Sequence, residues 1–312
     1  MLHDAPAGHV QPSAPRFEAG GRGGRALEIG ASVLLRVAGF AAPGVARVTG
    51  RRYPHIERSI ARAALGALGT RVAVSGLEHA RGGPFVVLPL HESLMDPLVL
   101  QRLPLPLAFA ARDEIWEWPS VGRLLVAGKH LTAATDVEPA RRVAAARQLL
   151  RDAGQRVSHG VSLVVFPQGS VLGIEIAFTR GAFWLARRLD VPVLPVVITG
   201  THRVWEFPFS PVLRRKQRVT LEVLPSLPPD EAFRGRLEIE RMLRMRALSA
   251  THGVPRHFVP SRDGTWDGYP FTIAPEFPGL VRELERLRHT APFARPGTDL
   301  RSGPVPGNPA GN

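Results

Sequence analysis

One short segment of the chain combines residue types that can carry out acid–base chemistry. His91 and Asp96 lie five residues apart in the run His-Glu-Ser-Leu-Met-Asp-Pro, shortly after an apolar run that predicts a buried strand over 85–89. A carboxylate that accepts a hydrogen bond from one imidazole nitrogen fixes the tautomer of the ring and stabilises the imidazolium. The other nitrogen can then remove a proton from a substrate hydroxyl. The spacing therefore predicts a His/Asp general-base pair.

The two side chains can meet only if the backbone turns between them. On one regular helix they would lie about 140° apart. Pro97 favours a helix that begins at that residue, with Asp96 as its N-cap and an apolar helical stretch over 98–103. For this segment alone, a capping aspartate beside a surface histidine stays open as an alternative. A zinc-protease helix is excluded, because Met95 stands where the second histidine of His-Glu-x-x-His would lie.

Alternating strands and helices surround this segment. Short apolar runs predict strands, and periodic apolar residues with capping signals predict helices. The predicted strands cover 71–75, 85–89, 107–111, 162–166, 193–199 and 219–224, and the predicted helices cover 136–153, 179–189, 231–248 and 280–287. This alternation predicts an α/β fold, with a mixed, partly parallel sheet flanked by helices in a single layered domain. Ligands of α/β sheets bind beyond the carboxyl ends of the strands, where the His/Asp segment lies.

The composition limits the partners of the protein. The chain has 312 residues, a formal net charge of +13 and no cysteine. The absence of cysteine excludes disulfides, thiolate zinc sites and a cysteine nucleophile. The excess positive charge fits an acidic partner. The basic residues of the chain are not interleaved with aromatic residues as in nucleic-acid-binding modules, so we predict no nucleic-acid partner.

The two ends of the chain differ from its centre. Residues 1–25 and 291–312 are rich in proline and glycine and are predicted to be disordered, which leaves one folded domain over 26–290. The apolar stretch 29–45 contains an arginine and a proline. It therefore predicts an interfacial or core helix rather than a membrane-spanning one.

Three further blocks follow the His/Asp segment. Together the four blocks resemble those of the glycerolipid acyltransferases of the lysophosphatidic acid acyltransferase (PlsC-like) type. That family has Asn-His-x-Ser-x-x-Asp, Phe-Pro-Glu-Gly-Thr-Arg, Phe-Lys-x-Gly-Ala-Phe and Val-Pro-x-x-Pro-Val blocks, in that order. The corresponding blocks of this chain lie at 90–96, 166–171, 178–183 and 191–196. The resemblance covers residues 70–225, and four blocks in the same order are far more specific than any one of them.

The resemblance implies an acyltransferase domain with an acyl-CoA or acyl-carrier-protein co-substrate, a lipid hydroxyl acceptor and no cofactor or metal. It implies His91 as the base and Asp96 as the residue that orients it. It also implies a peripheral protein at the cytoplasmic face of the cell membrane. The backbone N–H groups of Gly169 and Ser170 are candidate oxyanion donors. The residues predicted to bind substrate are Ser93, Arg112, Phe166, Pro167, Gln168, Gly169, Ser170 and Arg180.

The chain departs from the family blocks mainly in the second one. Gln168 stands in place of glutamate, Ser170 in place of threonine and Val171 in place of arginine, and Leu90 replaces the asparagine before the histidine. The catalytic pair is kept, but two charges of the acceptor region are lost. The acceptor class therefore includes non-phosphorylated lipid hydroxyls as well as lysophospholipids. Two alternatives stay open: an acyl-thioester hydrolase, and a catalytically inactive lipid-binding or acyl-carrier-binding protein.

Overall fold

The computed structural model describes residues 53–133, 139–169, 178–205 and 212–252, together with the pairs 16–17, 259–260 and 266–267. In this part of the chain, seven strands form one mixed sheet that is flanked by helices, so the predicted α/β class is confirmed. The predicted helix over 280–287, the stretch 29–45 and the two predicted disordered ends lie outside the described residues, except for Arg16–Phe17.

The elements are numbered here in chain order. The strands are β1 (Arg16–Phe17), β2 (Arg71–Ser75), β3 (Val86–Pro89), β4 (Leu107–Arg112), β5 (Leu131–Ala133), β6 (Ser162–Val164), β7 (Val193–Thr199), β8 (Val212–Leu213), β9 (Arg218–Val223), β10 (Val259–Pro260) and β11 (Trp266–Asp267). The helices are α1 (Tyr53–Ala67), α2 (Asp96–Leu100), α3 (Asp113–Trp116), α4 (Pro119–Ala127), α5 (Pro139–Ser158), α6 (Gly181–Leu189), α7 (Thr201–Val204), α8 (Pro229–Arg234) and α9 (Arg236–His252), with a 3₁₀ turn at Leu77–Ala80.

The main sheet has the strand order β2-β9-β7-β3-β6-β4-β5. Every neighbouring pair is parallel except β7 and β9, which are antiparallel. The five strands β3 to β7 therefore all run in the same direction. Their carboxyl ends lie at one edge of the sheet, which is where parallel sheets place their ligands.

The central strands are covered on both faces. In β3 the side chains of Val86 and Leu88 belong to one apolar cluster and that of Val87 belongs to the other. This alternation follows from the two-residue period of a strand. All seven residues of β7 are buried. Strands buried on both faces are expected to be continuous apolar runs, which is why their sequences predicted them well.

Some element predictions were wrong in number or length. The single helix predicted over 231–248 is two helices, α8 and α9. They are separated at Gly235, which is the C-cap of the first helix. Its N–H donates to the Glu231 carbonyl. Helices α1 and α4 and strand β5 were not predicted. Strand β5 has only three residues, of which only Leu131 is buried, so its apolar signal is short.

Candidate active site

The loops after β3, β4, β6 and β7 meet at the carboxyl edge of the sheet. Each of the four strands is hydrogen-bonded to its neighbour in the order β7-β3-β6-β4, so the residues that follow them are brought close together. The loop after β3 carries His91, and the loop after β6 carries Gln168. The strands therefore bring together two of the sequence blocks from which the site was predicted.

His91 and Asp96 form a buried hydrogen-bonded pair. The distance from His91 Nδ1 to Asp96 Oδ2 is 2.6 Å. His91 is 8% exposed and Asp96 is fully buried. An ionised carboxylate can only accept hydrogen bonds, so this contact selects the tautomer with the proton on Nδ1, in which Nε2 has a lone pair. The two side chains therefore meet as the spacing predicted, and their role as a general-base pair stays a prediction.

Asp96 itself folds the turn that brings the pair together. Its Oδ2 also accepts the backbone N–H of Glu92 at 2.8 Å and that of Ser93 at 3.0 Å. Helix α2 begins at Asp96, with Met95 as its N-cap, so the predicted start at Pro97 was one residue late. The aspartate carboxylate caps the preceding turn rather than the helix. It thereby holds His91 next to Asp96, the first residue of α2.

The loop after β6 holds the backbone and the ring of His91. The Gln168 Oε1 accepts the backbone N–H of His91 at 3.0 Å, and Gln168 is only 4% exposed. The Phe166 ring stacks on the imidazole, with 3.9 Å between centroids and 22° between planes. A glutamine keeps the oxygen acceptor that a family glutamate would offer, without its charge. Gln168 therefore links two loops of the site.

Ser93 and Pro167 lie at the site but use their polar atoms inside the protein. The Ser93 hydroxyl donates to the Trp205 carbonyl at 2.6 Å and accepts the Met95 N–H at 3.2 Å, and Ser93 is fully buried. The Pro167 carbonyl accepts the Thr179 N–H at 2.8 Å. Both residues hold loops together, and their predicted contact with substrate stays a prediction.

Two of the predicted arginines lie beside the loop after β6. The Arg112 guanidinium, at the end of β4, donates to the Gly169 carbonyl at 3.5 Å and pairs with Glu114 at 3.2 Å. Arg180 is exposed directly before the first residue of α6, and the N–H of the preceding residue bonds to this loop. Both positions are accessible to an anionic ligand, which fits their predicted role. Ser170 lies outside the described residues.

The expectation that Gly169 supplies an oxyanion donor does not fit this conformation. Its backbone N–H donates to the Phe166 carbonyl at 3.1 Å and so closes a turn. Gly169 has φ of +68°, a left-handed conformation that glycine adopts without strain. A Cβ at this position would meet no atom within 4 Å. The glycine is thus required by the shape of the turn and not by close packing.

Three residues that contact the pair or its loop were missed. The Thr201 hydroxyl donates to Asp96 Oδ1. Glu92 and His202 form a second buried pair, with 2.8 Å between Glu92 Oε2 and His202 Nδ1. The signal that points to Thr201 and His202 is their place directly after the carboxyl end of β7, beside β3. This position is informative only when the strand order is known, and the strand order cannot be read from the sequence alone.

The described residues contain no group of three or more histidine, cysteine or acidic side chains that could hold a metal ion. None of the helices in this part of the chain combines the length and the apolar character needed to cross a bilayer.

Comparisons with known proteins identify relatives of this chain. A family model described as Acyltransferase matches residues 71–199. A 1-acyl-sn-glycerol-3-phosphate acyltransferase of Cocos nucifera is 28% identical over 50% of this chain and 49% of its own length. The corresponding protein of Limnanthes alba is 25% identical over 58% of this chain and 62% of its own length. The chain thus spans about half to three fifths of these curated relatives.

A solved structure shares the fold. The crystal structure of the 1-acyl-sn-glycerophosphate acyltransferase PlsC from Thermotoga maritima has a TM-score of 0.50 and 22% identity, and the match covers 70% of this chain and 95% of that one. At this identity the likeness establishes the fold alone. The matched segment 71–199 contains the buried His/Asp pair and three of the four loops around it. Residues 71–199 of this chain thus match the acyltransferase family model, and the curated relatives above are 1-acyl-sn-glycerol-3-phosphate acyltransferases.

Proposed function

We propose that this protein is an O-acyltransferase that moves a fatty acyl group from acyl-CoA or an acyl-carrier protein onto a hydroxyl of a lysophospholipid or related lipid. The observation that carries the proposal is the 2.6 Å contact between His91 and Asp96 at the carboxyl edge of the sheet. The match of residues 71–199 to the acyltransferase family model and the activity for which the curated relatives are named support the same reaction.

In the proposed reaction, His91 is the only protein group that exchanges a proton with the reactants. Its Nε2 takes the proton of the acceptor hydroxyl while that oxygen attacks the thioester carbonyl. The tetrahedral intermediate then collapses, and the C–S bond breaks. The imidazolium returns its proton to the leaving thiolate, so the products are an ester and a free thiol. A thioester is already an activated acyl donor, so no covalent acyl-enzyme is required.

Asp96 has two tasks in this mechanism. Its carboxylate accepts the Nδ1 proton, so the ring presents Nε2 to the substrate, and its negative charge stabilises the imidazolium. Burial strengthens this electrostatic effect, because water does not screen the two groups. Gln168 and Phe166 hold the backbone and the ring of His91 in place. The base is therefore positioned before any substrate binds.

The proposed partners are a thioester donor, a lipid acceptor and a membrane surface. Both coenzyme A and a lysophospholipid carry phosphate, for which a guanidinium is a bidentate partner. Arg112 and Arg180 are the proposed phosphate contacts. We place the protein peripherally at the cytoplasmic face of the cell membrane, where acyl-CoA and single-chain lipids are both accessible.

Purified protein is expected to transfer label from a long-chain acyl-CoA to a lipid acceptor. The assay compares lysophosphatidic acid, a neutral monoacylglycerol and no acceptor, and it measures labelled ester and labelled free fatty acid separately. The proposal predicts labelled ester in at least one lipid arm, in excess of fatty acid release. Equal release of fatty acid in all arms would indicate a hydrolase instead, and binding without turnover would indicate an inactive binding protein.

The two proposed phosphate contacts are expected to affect substrate affinity rather than turnover. Arg112→Ala and Arg180→Ala should raise the KM of a phosphate-bearing substrate by about 10- to 100-fold, the usual effect of losing a charge-assisted hydrogen bond. Arg188→Ala is the matched control, because Arg188 is in the last turn of α6, at the end opposite to Arg180. Steady-state kinetics measure KM for donor and acceptor in turn. Unchanged KM values in both site variants would contradict the assignment.

A further inference from the structure

The turn after β7 contacts Asp96 at the carboxylate oxygen that His91 does not use. Thr201 is fully buried, and its hydroxyl donates to Asp96 Oδ1, the oxygen that His91 does not use. Asp96 therefore has donors on both carboxylate oxygens. Together with the three partners of Oδ2, the bond from Thr201 fixes the rotation of the carboxylate group about its Cβ–Cγ bond. That rotation decides where Oδ2 lies and hence the direction of the His91 ring.

The same turn also holds the loop that carries His91 through hydrogen bonds to the Glu92 side chain. The Glu92 carboxylate accepts the Gly200 N–H at 3.2 Å and pairs with His202 Nδ1 at 2.8 Å. The Glu92 side chain is only 3% exposed. The backbone N–H of Glu92 in turn donates to Asp96 Oδ2. Both sets of hydrogen bonds from the turn therefore reach the Asp96 carboxylate, one directly and one through Glu92.

Glycine at position 200 makes this approach possible. Gly200 has φ of +90°, and a Cβ there would lie 2.6 Å from the Arg218 carbonyl oxygen of β9. No larger residue fits at this position without a shift of β9. The chain can consequently bend sharply at the end of β7, and Thr201 and His202 are directed towards the loop after β3.

We infer that Thr201 is a positioning residue for the His91–Asp96 pair, and that the Glu92–His202 pair fastens the turn that carries it. This inference deepens the proposed function and rests on it. Thr201 does not contact the reactants in this scheme. It acts by keeping the Asp96 carboxylate in the one rotation that presents His91 Nε2 to the acceptor hydroxyl.

The substitution Thr201→Val tests the inference, because valine has nearly the shape of threonine without its hydroxyl. We expect kcat to fall by about tenfold or more with KM unchanged, the effect of losing one hydrogen bond to a charged group. Thr201→Ser restores a hydroxyl and should recover most of the wild-type kcat. Thr199→Val is the matched control, since it removes the hydroxyl bond to Thr220 on β9, two residues away. Its kcat should stay at the wild-type value.

A second readout does not depend on turnover. The His91 Nδ1 proton, in a short bond to a carboxylate, should give a low-field proton NMR signal that is missing in His91→Ala. We expect this signal in the wild type, in Thr201→Ser and in Thr199→Val, and its shift or loss in Thr201→Val with the melting temperature retained. Wild-type kcat and an unmoved signal in Thr201→Val would overturn the inference. If the wild type transfers no acyl group, the proposed function fails and the NMR signal alone decides about Thr201.

Discussion

Replacing His91 with alanine is expected to reduce acyl transfer by about 10²- to 10⁴-fold, the usual contribution of a general base. Among the described residues, His202 lies in the turn after β7 but is not expected to replace it, because it is 8% exposed and its Nδ1 is paired with Glu92. Transfer from labelled acyl-CoA, measured at saturating acceptor, gives kcat directly. Donor affinity should change little, since the imidazole is proposed to act on the acceptor hydroxyl.

The control for His91→Ala must distinguish a loss of catalysis from a loss of the folded state. The His91 ring stacks on Phe166, so its removal costs some packing. A melting curve that stays cooperative shows that the fold is kept. His159→Ala is a matched histidine control, because His159 is exposed just beyond the end of α5 and should keep full activity. Wild-type kcat in His91→Ala would dismiss His91 as the base.

The substitution Asp96→Asn is expected to lower kcat by a similar amount, about 10²- to 10⁴-fold, while the turn stays folded. The asparagine oxygen can occupy the Oδ2 position and accept the N–H groups of Glu92 and Ser93. Its amide group can then donate to the Thr201 hydroxyl, which is able to reverse its role. The geometry is kept, and the negative charge opposite the imidazolium is lost.

A second variant at this position separates charge from structure. Asp96→Ala removes the acceptor of two backbone N–H groups and should therefore also lower stability, by about 1–3 kcal/mol for each donor left unsatisfied. Denaturant unfolding measures this difference. We expect both variants to lose the same activity and only Asp96→Ala to be destabilised. This outcome would support a role of the Asp96 charge in catalysis. Full activity in Asp96→Asn would show that the charge does not matter.

The strands that could be predicted from the sequence are those with a clear apolar pattern, which is continuous in the buried β7 and alternating in the half-exposed β2. Strand β7 was predicted with its observed bounds, because its seven residues form a continuous buried run. Short or partly exposed elements gave a weaker signal, as β5 illustrates. The division at Gly235 of the helix predicted over 231–248 was missed, because apolar residues occur on both sides of this glycine.

The site was predictable where its parts are neighbours in the sequence. His91 and Asp96 are five residues apart, so a single turn is enough to join them. Thr201 lies 105 residues beyond Asp96, and the two meet only because β7 pairs with β3. No local pattern encodes that pairing. For the same reason, the bond from the His91 backbone to Gln168, 77 residues away, could not be derived from spacing.

The coupling of Asp96 to His91 is tested most directly by combining the two substitutions. If Asp96 acts on catalysis through the imidazole, removing its charge has no further effect once the imidazole is absent. The measurement is kcat/KM of the double variant His91→Ala with Asp96→Asn, relative to His91→Ala alone. We expect equal values for the two variants. A further fall as large as the one that Asp96→Asn causes in the wild-type background would contradict this expectation.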